Sequence, residues 1–307
     1  MKNTPACSEI NALFANGNAA EVWLKAAEIV VRISPSYDFC LTKTAFDDIV
    51  RLFNGEYPGY CQIRTLYHDL HHTLDVFMCA VRLMHGVHIS GARLTDQEIT
   101  LIMLAAMMHD VGYAQLESEA SGTGAQHTQS HVRRGIAFMQ QYIAGRTFPP
   151  RLARSLKFII LCTDPLLSMS KIHFPDERTR MLGQIVSTAD LTGQMADRAY
   201  LEKLLFLYLE FEEAHFGSYQ SMHDLLRKTL SFYEITRQKL DGELGGIYAM
   251  LSLHFKETFD VNNNYYLESI EKNIAYLSEI TSHDEQKYLS MLKRGGIAEK
   301  VASLAAP

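Results

Sequence analysis

The sequence has no long apolar run; nothing in it approaches the roughly 18–20 residues that a membrane-spanning helix needs. The opening stretch, MKNTPACSEINALFANG, lacks the apolar centre of a signal peptide, so a cytoplasmic protein with no membrane partner is expected. There is no CxxC pair. The five cysteines (Cys7, Cys40, Cys61, Cys79, Cys162) are odd in number and scattered, which reads as reduced thiols. No basic run stands out and the net charge is −6. Nucleic-acid binding through phosphate neutralisation is therefore not expected, while a small anion held by a metal or a local arginine stays open. Strand signals are few, no internal repeat or low-complexity segment occurs, and no proline- or serine-rich linker divides the chain. SGTGAQ has two glycines but no following GK[ST], so it is not a phosphate-binding P-loop.

What is present is ordinary globular composition, 307 residues with 47% hydrophobic and 21% charged. Apolar residues recur with a period near 3.6 rather than 2. EVWLKAAEIVVRI (21–33), LTDQEITLIMLAAMMHD (94–110), PPRLARSLKFIILCTD (149–164), ERTRMLGQIVSTADLTGQ (177–194) and AYLEKLLFLYLEFEEAHF (199–216) all read as helices. The second opens on a capping signature, Thr95 or Asp96 followed by Glu98, and is apolar nearly all round, which predicts a buried central helix. Three further helical stretches follow, the last being HDEQKYLSMLKRGGIAEKVASL. The polar segment AQLESEASGTGAQ (114–126) reads as a loop. The expectation is an all-α protein, a compact multi-helix bundle forming one domain over 1–307.

The thirteen histidines are unevenly spread. YHDLHHTLDV (67–76) packs three of them with two aspartates. On a helix, His68 and His72 share a face, and so do His72 and Asp75; the bland alternative is a hydrated polar stripe. LIMLAAMMHDVGY delivers His109 and Asp110 straight after an apolar run. A histidine suits a helix C-terminus, but an aspartate does not, and an unpaired buried carboxylate costs several kcal/mol or more. Asp110 therefore needs a partner, for which a divalent cation is the obvious choice. Asp190 closes the apolar stretch MLGQIVSTAD; alone it would be a cap or turn residue. His127 and His131, in HTQSHVRRG, repeat the spacing of four.

Together these segments resemble the HD superfamily of metal-dependent phosphohydrolases: a histidine, a His-Asp doublet, then a distant aspartate. The similarity is closest to the class I cyclic-nucleotide phosphodiesterase catalytic domain, whose YHNxxHxxDV is matched in register by Tyr67, His68, His72, Asp75 and Val76, with Asp69 in place of the asparagine. LAAMMHDVG, TQSHVRRGI, KFIILCTDP and ADLT resemble further segments of that domain in the same order, from about Tyr67 to Thr192. Two departures stand out. Tyr113 occupies the place of a further histidine, and the glutamine that grips the purine has no counterpart after Asp190.

The resemblance implies a PDEase-like catalytic core over about 60–195 and a helical C-terminal part over about 196–307. It implies divalent metal ions as cofactors, two of them, drawn from Zn, Mn, Fe or Mg. His72, His109, Asp110 and Asp190 would hold the first, and Asp110 would bridge to the second. His127 and His131 would supply second-metal contacts, and Asp75 and Asp164 would orient ligating histidines. His68 is assigned the general acid, with Asp69 or Asp75 as its supporting carboxylate. The implied activity is hydrolysis of a small anionic phosphoester, foremost a 3′,5′-cyclic nucleotide, by water activated on metal. The alternatives are a nucleotide phosphomonoesterase and a non-catalytic metal- or nucleotide-binding module. The aromatic C-terminal helices are expected either to cover the site or to form a homodimer surface.

Overall fold

A computed structural model of the chain describes residues 18–119, 121–283 and 287–304. Cys7 with the opening stretch, Ala120 of the expected loop, and residues 284–286 of the last expected helix lie outside the described residues. Among the described residues there are thirteen α-helices, several short 3₁₀ turns and no strand; Tyr60 and Leu116 make one isolated antiparallel bridge. The fold is all-α. No helix among the described residues is long and apolar enough to cross a membrane.

The helices begin where side chains supply their missing partners. Asn18 opens α1 (Ala19–Ile33), and α2 spans Cys40–Asn54. Asp69 opens α3 (Leu70–Ile89), Thr95 opens α4 (Asp96–Met108), and Asp176 opens α7 (Glu177–Ala196). Each of those four caps accepts a hydrogen bond from the backbone N–H three residues on, satisfying a donor that the first turn leaves orphaned. The Thr95–Glu98 capping box is complete, as its sequence predicts. Pro150 begins α6 (Pro150–Leu161), where a missing N–H costs nothing. The others are α5 (His131–Ala144), α8 (Tyr200–Glu213), α9 (Met222–Asp241), α10 (Met250–Phe259), α11 (Tyr265–Thr281), α12 (Tyr288–Met291) and α13 (Ile297–Leu304).

Helix α3 is the central rod. It is buried continuously from His72 to Val87 and packs on α1, α4, α7 and α10. Helix α4, buried from Leu101 to Met108, lies between α3 and α6 and also meets α7. One apolar core joins Val22 of α1 to Val301 of α13, so the C-terminal helices share it rather than standing apart. A smaller cluster around Cys162, Met169 and Leu244 sits beside it. Helices α3 and α10 approach each other closely. A Cβ on Gly86 would stand 1.9 Å from the Met250 carbonyl oxygen, so only glycine lets these backbones meet.

The same contact buries two imidazoles against each other, His85 and His254, with Nδ1 to Nδ1 at 3.0 Å. Burial, helped by nearby Arg32 and by Arg82 on the His254 side, pushes His85 down to about 4 and His254 to about 2. Both folded values lie below the unfolded value of 6.5. The unfolded chain therefore binds more protons once the pH drops below that value. This contribution is intact above pH 6.5 and is lost as the pH falls towards 4 for His85 and on towards 2 for His254. We expect the double variant His85→Leu, His254→Leu to lose less stability than the wild type between pH 7 and pH 4.5 in urea titrations, by about 1 kcal/mol per pH unit or more. Parallel pH profiles would show that the pair does not exclude protons.

Candidate metal centre

Four side chains converge where the start of α3 and the end of α4 meet the middle of α7. His72 lies in the first turn of α3, held by the Asp69 cap, whose carboxylate accepts its N–H at 2.8 Å. His109 is the C-terminal cap of α4 and keeps helical angles, whereas Asp110 has turned out of the helix (φ −106°, ψ 3°). That loosening lets two adjacent side chains face the same point. Asp190 comes from within α7.

His72 Nε2 stands 3.3 Å from His109 Nε2, 3.2 Å from Asp110 Oδ2 and 3.5 Å from Asp190 Oδ1. His109 Nε2 is 3.2 Å from Asp110 Oδ2 and 3.7 Å from Asp190 Oδ1. A tetrahedral ion with bonds of about 2.0–2.2 Å holds neighbouring donors about 3.3–3.6 Å apart; His72, His109 and Asp110 have about that spacing and their donor atoms lie within 4.8 Å of one another, while Asp190 Oδ1 approaches both imidazoles from the side. The His109 imidazole also faces the right way. His109 Nδ1 lies 2.9 Å from the Ala106 carbonyl, which can only accept, so its proton is there and the Nε2 lone pair points inward. Asp110 Oδ2 is buried with no hydrogen-bond partner, as expected for an oxygen reserved for a cation.

Electrostatics give the same picture. Burial would lower His72, but Asp110 and Asp190 outweigh it and hold the imidazole up at about 10. Burial acts likewise on His109, which the same carboxylates raise. Burial would raise Asp110, yet His109, His72 and His68 keep it well below the usual carboxylate range. The pocket attracts positive charge, and a donor set of two imidazoles, which shed their extra protons on ligation, with two carboxylates suits a divalent transition ion.

Asp110 has a second face. Its Oδ1 is 3.5 Å from His131 Nε2, whose Nδ1 donates to the Thr128 carbonyl at 2.6 Å. The 3₁₀ turn Val111–Tyr113 lies directly against α5 at this point. A Cβ on Gly112 would meet the His131 carbonyl oxygen at 1.8 Å. Arg134 clamps the turn by donating to the Gly112 and Ala114 carbonyls, which commits it to the fold rather than to a phosphate. Tyr113 stacks against both the His68 and the His131 ring, at centroid distances of 4.8 Å to each, and those two rings are themselves 6.2 Å apart.

His68 departs from the helical expectation. It precedes the Asp69 cap and so lies outside α3, although its ring still comes within 5.6 Å of the His72 ring. Neither Asp69 nor Asp75 supports it. The carboxylate is Glu210 of α8, whose Oε2 is 2.6 Å from His68 Nδ1 and whose Oε1 accepts the Tyr67 N–H at 2.6 Å. Sequence reasoning missed Glu210, which lies beyond the 60–195 stretch. The available signal was its place four residues after Phe206, on the apolar side of α8, where a carboxylate is out of keeping.

The remaining candidates lie apart from the four-donor centre. Asp75 pairs with His71 at 3.0 Å. These two and Asp197 have ligand atoms within 4.8 Å of one another, but Lys203 already supplies a cation there, 2.5 Å from Asp197 Oδ2 and 3.2 Å from His71 Nδ1. Asp164 accepts the Leu166 N–H at 2.9 Å, as a turn residue does. His127 closes a 3₁₀ turn ahead of α5, so its spacing from His131 does not put both on one helix; its buried Nε2 has no partner and makes no contact with the centre.

Residues 114–239 match the Npun_R2479-like family. The matched stretch is less than half of the chain. It contains His131, Asp190 and Glu210 but begins after the His109–Asp110 doublet and after His72. No curated protein matches the chain.

Proposed function

We propose that this protein is a metal-dependent phosphohydrolase acting on a phosphodiester such as a 3′,5′-cyclic nucleotide, in the cytoplasm. The observation that carries this reading is the four-donor centre of His72, His109, Asp110 and Asp190, with an imidazole–carboxylate pair beside it. His72, His109, Asp110 and Asp190 would hold one divalent ion, and Asp110 with His131 a second. Bound ions would lower the pKa of a water towards neutrality and offset the negative charge that makes a phosphoester resist attack. The protein's own part is positional. Glu210 takes the Nδ1 proton of His68 as a hydrogen bond and stabilises the imidazolium, which leaves Nε2 to pass a proton to the leaving oxygen. Tyr113 fixes the ring plane of His68 by stacking, and the Tyr67 N–H keeps Glu210 in place. A non-catalytic metal pin would have no use for such a pair.

The purified protein, assayed with Mn²⁺ or Mg²⁺ against 3′,5′-cyclic nucleotides and 5′-nucleotides, is expected to turn over the cyclic diesters. Hydrolysis of 5′-nucleotides alone would reassign it as a phosphomonoesterase. Turnover of neither would remove the phosphohydrolase reading.

A further inference from the structure

Of the four donors, Asp190 is the one most in need of orientation. Its side chain keeps 16% of its exposure against 4% for Asp110, and its Oδ1 has the longest separations to the two imidazoles, 3.5 and 3.7 Å. A carboxylate near solvent on a helix samples several rotamers unless something holds it.

Gln194 follows one turn later on α7. Its Nε2 donates to the Asp190 carbonyl oxygen at 3.1 Å and reaches Asp190 Oδ1, the oxygen that faces the imidazoles, at 3.4 Å. Its Oε1 accepts the hydroxyl proton of Tyr67. The orientation of the amide is fixed by chemistry, because both Asp190 oxygens can only accept; a flipped amide would set oxygen against oxygen. Tyr67 in turn donates its backbone N–H to Glu210 at 2.6 Å. One buried tyrosine thus touches the carboxylate behind His68 and, through Gln194, the carboxylate of the metal centre.

We propose that Gln194 and Tyr67 form a relay of positioning residues that holds Asp190 Oδ1 towards His72 and His109 and so sets the metal affinity of the centre. The inference rests on the metal-centre reading above. Partners behind ligating side chains are worth 10–100-fold in metal affinity. Gln194→Met keeps the length and removes all three hydrogen bonds, so it weakens Mn²⁺ binding by about 10–100-fold. Tyr67→Phe frees the amide to rotate without removing it, and gives a smaller loss. Because the two act in series, the double variant binds Mn²⁺ no more weakly than Gln194→Met alone. It also recovers melting temperature relative to Gln194→Met, since the phenol that this variant leaves buried without a partner is gone.

The test is a Mn²⁺ titration of all four proteins against a competing chelator, with thermal melts alongside. If the wild type binds Mn²⁺ and Gln194→Met binds it equally well, the relay is overturned while the metal centre stands. Additive losses in the double variant would also overturn the relay. A wild type that takes up no Mn²⁺ overturns both, and the wild-type titration alone reveals it.

Discussion

His68→Ala should lower turnover by roughly 10²–10⁴-fold, the usual contribution of a positioned proton donor, with bound metal unchanged. The separation follows from where His68 sits. It lies outside α3, and its Nδ1 is engaged by Glu210 rather than by the four-donor centre. Removing the ring therefore leaves the shell of His72, His109, Asp110 and Asp190 intact. Glu210→Gln should fall between the wild type and His68→Ala. The amide oxygen can still accept the Tyr67 N–H, but an NH₂ group facing His68 Nδ1 no longer stabilises an imidazolium. Initial rates on whichever phosphoester the wild type turns over in the assay proposed above, with metal content by elemental analysis, check both variants. Loss of metal in His68→Ala would make His68 a ligand, and undiminished turnover would remove it from the chemistry.

Asp110→Asn should weaken binding of every ion by more than about 100-fold, beyond the range for partners behind the ligands. Asp110 is the one side chain placed between both positions, Oδ2 at 3.2 Å from His72 and from His109, and Oδ1 at 3.5 Å from His131. An amide there loses the charge and turns an N–H towards at least one lone pair that should be facing a cation. His131→Ala touches one position only, so it should lose a single ion and keep the other. Metal stoichiometry after dialysis at micromolar free Mn²⁺ distinguishes the two variants. Equal losses in both would show that the sites are not shared through Asp110.

The centre was legible in the sequence because its residues break local rules. An aspartate after the apolar run of α4 and a histidine-rich decapeptide before α3 have no cheap structural explanation, and the fold brings His72, His109, Asp110 and Asp190 together. Spacing misled where backbone geometry changes within a few residues. Asp69 caps α3 and leaves His68 outside it, and α5 starts at His131, so His127 stays behind in a turn. Spacing puts Asp75 on the His72 face, but His71 claims its carboxylate. Glu210 is missed for another reason. EFEE at the end of α8 looks like a solvated acidic turn, and in the sequence only the spacing of four from Phe206 sets buried Glu210 apart from exposed Glu212. The all-α class followed directly from the 3.6 period. The sharing of one core by N- and C-terminal helices did not, because periodicity says which face is buried and not against what.

All of this requires that four side chains share one cation. The most direct measurement is an anomalous difference map from crystals grown with Zn²⁺ and recorded at the zinc edge. A peak about 2.0–2.2 Å from His72 Nε2, His109 Nε2, Asp110 Oδ2 and Asp190 Oδ1 is the predicted result. A map with no peak between these atoms, or with the ion bound elsewhere and Asp190 turned to solvent, would contradict it.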